Sequence, residues 1–165
     1  MCRRRVASRA TKWSRSVTSK QQVLRRSRAV LAAIWGGFLL CIAFAAAPAA
    51  FAVLERAQAG ELVGRLFALE AQVALATALL LILMERRLAR DTGSNNLSAE
   101  FFLPAGALFC TVAGYYALHP MMEAAKAGQG SWSFMTLHAF SFAFFGLKTL
   151  AVLALAWRTS NNSKV

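Results

Sequence analysis

Four continuous apolar runs, at 29–54, 62–84, 101–118 and 133–157, are separated by short polar and charged connections. Each approaches or exceeds the about 20 helical residues needed to cross a hydrocarbon core of roughly 30 Å. Within a run polar and apolar positions hardly alternate. Residues 73 to 84, for example, read Val-Ala-Leu-Ala-Thr-Ala-Leu-Leu-Leu-Ile-Leu-Met. A helix whose outer face meets lipid looks like this, whereas a membrane barrel would show alternating segments of about ten residues. The pattern predicts an all-α integral membrane protein, a four-helix transmembrane bundle. Residues 1–28 form a basic tail expected to lack structure, 29–158 the membrane domain and 159–165 a short second tail. No soluble catalytic domain fits into the connections.

Charge orients these spans. The chain has 165 residues and a net charge of +12. The basic residues cluster before the first span: Arg3, Arg4, Arg5, Arg9, Lys12, Arg15, Lys20, Arg25, Arg26 and Arg28, with no acidic residue among them. The second connection adds Arg86, Arg87 and Arg90, and the C-terminal end adds Arg158 and Lys164. The first offers only Arg56, with Arg65 just inside the next run, and the third only Lys126. Lys and Arg thus gather on one side, which predicts both termini in the cytoplasm of a bacterial cell and a multi-pass protein of its inner membrane. The tail is expected to meet anionic headgroups. No nucleic-acid partner is expected, because no folded reader accompanies the charge.

The N-terminus admits other readings. A basic region, an apolar segment at 29–47 and the small-x-small sequence Ala50-Phe51-Ala52 have the form of a signal peptide, which would leave three spans. The apolar stretch is long for that role and continues past Pro48. An Arg- and Ser-rich, acid-free tail also has the composition of a transit peptide, and a start codon placed too early would give the same tail.

Close helix approach in lipid depends on small residues four apart. Gly37, Cys41, Ala45 and Ala49 in the first span and Gly106, Cys110 and Gly114 in the third form two such stripes, expected to face each other or to join protomers in a homo-oligomer. Ala71, Ala74 and Ala78 form a weaker stripe on the second. The fourth span carries Phe134, Phe140, Phe142, Phe144 and Phe145 and is expected to face lipid over much of its girth, with Trp132 and Trp157 at its two interfaces. Pro48 is expected to kink the first helix near its outer end. With Cys2 at the extreme N-terminus and Cys41 and Cys110 within spans, the three cysteines form no disulfide framework.

One set of residues carries a family resemblance. Pro48-Ala-Ala-Phe51-Ala-Val-Leu54 is followed by Ala59-Gly60 and Gly64-Arg65-Leu66-Phe67, then by Pro120-Met121-Met122-Glu123, and finally by Leu137-His138-Ala139-Phe140-Ser141. In order and spacing these resemble an uncharacterised bacterial family of four-span membrane proteins, a domain of unknown function related to the eukaryotic transmembrane-protein-205-like proteins. The resemblance covers roughly 29 to 157. It departs from the family where Ala139 replaces a glycine, where Ser133 and Phe134 replace a basic residue, and where Lys126 alone stands near the position of an arginine. It implies four helices in a membrane, with Pro48, Phe51, Gly60, Phe67, Pro120 and His138 as family-like positions, and it implies no activity.

Ionisable groups inside spans are the strongest pointers to function, since each costs on the order of 2.5–3.5 kcal/mol or more at the bilayer centre. Glu70, His138 and Lys148 qualify. Counted from the outer ends of the runs, Glu70 lies roughly 12 Å deep, His138 about 8 Å and Lys148 roughly 22 Å. Glu70 and His138 therefore pair by depth, with Gln72 and Ser141 extending the network and Lys148 snorkelling towards the cytoplasmic face. Such a pair either glues helices two and four or carries a proton or a substrate contact. His119 with His138, together with Met121, Met122 and Met135, is a weaker candidate for a haem or copper site. Phosphate-binding glycine loops, His-Glu-x-x-His and paired acidic motifs are missing, and Ser141 with His138 makes no hydrolytic pair. The expectation is an inner-membrane protein of unknown activity, not an enzyme and without a cofactor, structural or partner-binding. A small oligomeric transporter or channel with a Glu70/His138 site is the alternative, and a haem- or metal-binding redox component the third.

Overall fold

The computed structural model describes residues 2–91, 93, 98–129 and 131–162, with side chains over 19–161 of that range. Among the described residues six α-helices follow one another: α1 (Cys2–Cys41), α2 (Ala47–Val53), α3 (Arg56–Asp91), α4 (Ala99–Thr111), α5 (Leu118–Lys126) and α6 (Phe134–Asn162). Two π-helical turns, Ile42–Ala46 and Val112–Ala117, join α1 to α2 and α4 to α5. The result is four rods, each long and apolar enough to cross a membrane: Ser19–Val53, Arg56–Asp91, Ala99–Lys126 and Phe134–Asn161.

The helices outrun the apolar runs. The second rod starts at Arg56 rather than at 62, the third continues to Lys126 rather than 118, and α1 begins at Cys2. The basic segment expected to lack structure is therefore helical and continuous with the first span. Its side chains before Ser19 lie outside the described residues, as do residues 163–165 of the C-terminal tail. The first apolar run ends at the basic segment, but the backbone hydrogen-bond ladder does not. With no helix breaker in 2–28, the helix propagates from the span into the polar segment.

Both π turns have an identifiable cause. A proline lacks the N–H that would bond the carbonyl four residues back, and its ring clashes with that carbonyl. For Pro48 that carbonyl belongs to Phe44, and for Pro120 to Tyr116, each inside a π turn. The wider turn moves the carbonyl away and lets the helix continue. The first rod then stops at Leu54, which is extended (φ −107°, ψ 155°), and Arg56 starts the next.

Around the bundle the rods follow chain order. The first packs on the second and fourth, and the third on the second and fourth, leaving first–third and second–fourth as the diagonals. Ala32, Trp35, Leu39, Ala74, Ala78, Leu81, Ala107, Val152 and Leu155 form the central core. Alanines on the second and third rods offset the bulk of Trp35 and Leu39, as interdigitated packing demands.

This arrangement corrects the expected stripes. Gly37, Cys41, Ala45 and Ala49 are all exposed, and the first rod buries the adjacent stripe of Ala32, Trp35, Gly36, Leu39 and Ile42. The first and third rods are thus not close-packed partners through glycine stripes. Gly36 instead packs against Leu153 and Val152 of the fourth rod, and Gly114 against Phe144. On the third rod Gly106 faces outward, while Cys110 and Gly114 are buried. The weaker stripe of Ala71, Ala74 and Ala78 is fully buried. On the fourth rod Phe140 and Phe142 are exposed, but Phe144 and Phe145 are half-buried and meet Phe109 and Phe67 edge to face. Trp132 and Trp157 are exposed near the two ends of that rod.

A buried ion pair as the candidate functional site

Lys148 on the fourth rod donates to both carboxylate oxygens of Glu70 on the second, at 2.8 Å and 2.7 Å. The two side chains are 4% and 2% exposed. Glu70 is the fourteenth residue after Arg56, and Lys148 the fourteenth after Phe134, so both lie about 21 Å along rods that begin at the same end of the bundle. The pair spans the second–fourth diagonal, which only two long side chains can bridge. Around it, Lys148 Nζ stands 5.0 Å from the centroid of the Phe145 ring, and Phe145 meets Phe67 with centroids 5.3 Å apart. Cys110 is buried on the third rod.

The Glu70–His138 pair inferred from depth is overturned. Its depth for Glu70 was counted from 62, six residues after the helix begins. His138 is exposed and stacks on Phe134 with ring centroids 5.8 Å apart. Lys148 does not snorkel, because an internal carboxylate supplies what the interface would otherwise provide. Gln72 is exposed, two positions round the helix from Glu70. Ser141 belongs to a different contact, donating through Oγ to the Gly114 carbonyl at 2.9 Å. That bond ties the fourth rod to the π turn of the third. His119 stacks at a tilt on Tyr115, centroids 5.1 Å apart. Among the described residues no group of three His, Cys, Asp or Glu side chains converges as a metal site would require.

A second polar cluster closes the opposite end of the bundle and was missed by sequence reasoning. Arg28 of the first rod pairs with Glu85 of the second. Ser98, which precedes the third, donates to Glu85 at 2.7 Å. Arg158 of the fourth stands 3.5 Å from Glu100 of the third. Arg86 adds a contact over the Phe101 ring at 4.8 Å. Arg28 and Glu100 are buried. The signal was present in the two carboxylates flanking the second connection, but Arg28 read as part of a topology-setting charge run. Among the described residues, replacing Arg28 by Ala leaves Ser98 as the donor to Glu85. The expected loss is about 3 kcal/mol, the low end for breaking a buried pair. Arg28→Lys should recover part of it, as measured by unfolding in detergent.

Four apolar rods with charges paired inside and at one end define a multi-pass helical membrane bundle. Residues 30–131 match the family described as a domain of unknown function, DUF4149, and the chain belongs to that family. The match takes in the first rod from residue 30, the second and third rods and Glu70, while Arg28 lies just before it and Lys148 and Arg158 beyond it. No curated protein and no solved structure matches the chain.

Proposed function

We propose that the protein is a structural or partner-binding helix bundle of a bacterial inner membrane, with both termini in the cytoplasm, and not an enzyme. The kinship with transmembrane-protein-205-like proteins belongs to the same reading. One observation carries it: Glu70 and Lys148 satisfy each other's charge inside the bundle. Groups that must bind a substrate or pass a proton need a polar vacancy beside them, whereas groups that hold helices together need only each other. The basic end supports the orientation, since Arg28, Arg86, Arg87 and Arg158 gather there. The exposed stripe of Gly37, Cys41, Ala45 and Ala49 is a surface on which a second copy or another membrane helix can approach closely.

The deciding experiment uses the apolar double variant Glu70→Leu/Lys148→Met, which removes both charges at once. A folded double variant that restores the phenotype of a deletion strain supports a structural role. A folded double variant that fails to restore it makes the ion pair part of a transport or signalling mechanism, and the structural reading falls.

A further inference from the structure

An open groove of about 360 Å³ lies at the basic end between α1 and α3, lined by Ser19, Lys20, Val23, Leu24, Ser27 and Arg87. That volume is within the roughly 300–1,000 Å³ of small-molecule sites. We propose that it binds the headgroup of one anionic phospholipid of the surrounding bilayer, a site that rests on the membrane reading above.

Position argues for this occupant. Ser27 directly precedes Arg28, and Arg87 is two residues beyond Glu85, so the groove begins where the Arg28–Glu85 pair closes the bundle. From there α1 carries Lys20 about 12 Å further along its axis. This places the groove at headgroup level when the apolar part of the rod is in hydrocarbon.

Chemistry agrees with position. Two cations, Lys20 and Arg87, line the same groove as Val23 and Leu24. Among the described residues no carboxylate pairs with either cation. Arg87 can grip a phosphate through two N–H groups, Lys20 acts as a point charge, and the Ser27 hydroxyl can donate a further bond. Val23, 64% exposed, and half-buried Leu24 give the glycerol and the first acyl methylenes an apolar wall. A free phosphate would leave that wall in water, and a nucleic acid would have no use for it at bilayer depth.

The test reconstitutes the full chain into nanodiscs of equal parts phosphatidylcholine and phosphatidylglycerol, then measures by native mass spectrometry which lipid stays bound. The wild-type chain should retain the anionic lipid selectively. Each cation in direct contact with the phosphate should contribute about fivefold beyond diffuse attraction, so Lys20→Ala/Arg87→Ala should lower that selectivity roughly thirtyfold. Arg26→Ala/Arg90→Ala removes the same charge at the same end but outside the groove, and should change it less than about fivefold. Val23→Trp, which fills the groove and leaves the charge intact, should reduce retention as well. Equal losses in the two double variants would mean diffuse attraction and overturn the site. A chain that enters the discs without preferring the anionic lipid overturns the site alone. A chain that never enters them overturns the membrane reading, and the site with it.

Discussion

Replacing Lys148 by methionine should destabilise the bundle by about 3–5 kcal/mol, the largest single-residue effect expected here. The substitution keeps all but the last atom of the side chain's length and leaves the Glu70 carboxyl group, 2% exposed, without its donor. Water cannot easily reach it, because the pair lies between four rods and not at their surface. Glu70→Gln should be milder, since an amide retains an acceptor for the ammonium and carries no charge, although Lys148 then stands unneutralised. Glu70→Leu/Lys148→Met should recover most of the loss or exceed wild-type stability, as apolar replacement of buried ion pairs often does. Unfolding by denaturing detergent in mixed micelles, run as a double-mutant cycle, gives the coupling between the two positions. Losses that simply add would mean that the pair contributes nothing as a pair.

Gly114→Ala should also have a large effect, with an expected loss of about 1–3 kcal/mol from overpacking. A Cβ built on Gly114 would lie 2.6 Å from the Cβ of Phe144. That neighbour is the root of a side chain and cannot swing away, so the third and fourth rods must separate. Separation would also stretch the bond from Ser141 to the Gly114 carbonyl. Gly37→Ala is the matched control, with nothing within 4 Å of its Cβ, and should leave stability unchanged or raise it by up to about 1 kcal/mol, as alanine favours the helix. Combining Gly114→Ala with Phe144→Ala should not restore stability, because the collision is with a Cβ that alanine retains. Phe144→Gly should relieve it only at the cost of helix propensity. Thermal unfolding in detergent would separate these cases, and equal stability of the Gly114 and Gly37 variants would show that the two rods pack differently.

The candidate site was legible as residue types but not as partners. Glu70 and Lys148 stood out because charge is costly inside an apolar run, and that reasoning needs no neighbours. Their pairing depended on where each helix begins. Counting from the apolar boundary at 62 instead of from Arg56 displaced Glu70 by six residues, about 9 Å, and so matched it with His138. The Arg28–Glu85 and Arg158–Glu100 contacts were hidden for a related reason. Charges at the margins of spans serve topology, solvation and packing alike, and composition cannot separate the three.

Sequence alone determined that the chain forms four long, apolar helical rods. In hydrocarbon every backbone N–H and C=O needs an internal partner, and a continuous apolar run of this length leaves the helix as the solution. It also determined which end is basic, because charge lies where the chain puts it. Which face of each rod turns inward was decided only by the tertiary structure. Lipid-facing and core-facing side chains are both apolar, so the periodicity that marks the buried stripe of a soluble helix is nearly absent. Gly36 and Gly37 read alike, yet only Gly36 packs against another rod, with Leu153 the nearest contact. The outcome depends on how Trp35, Leu39 and the alanines of the neighbouring rods fit together, and on a lysine that can cross the bundle to a glutamate at its own depth.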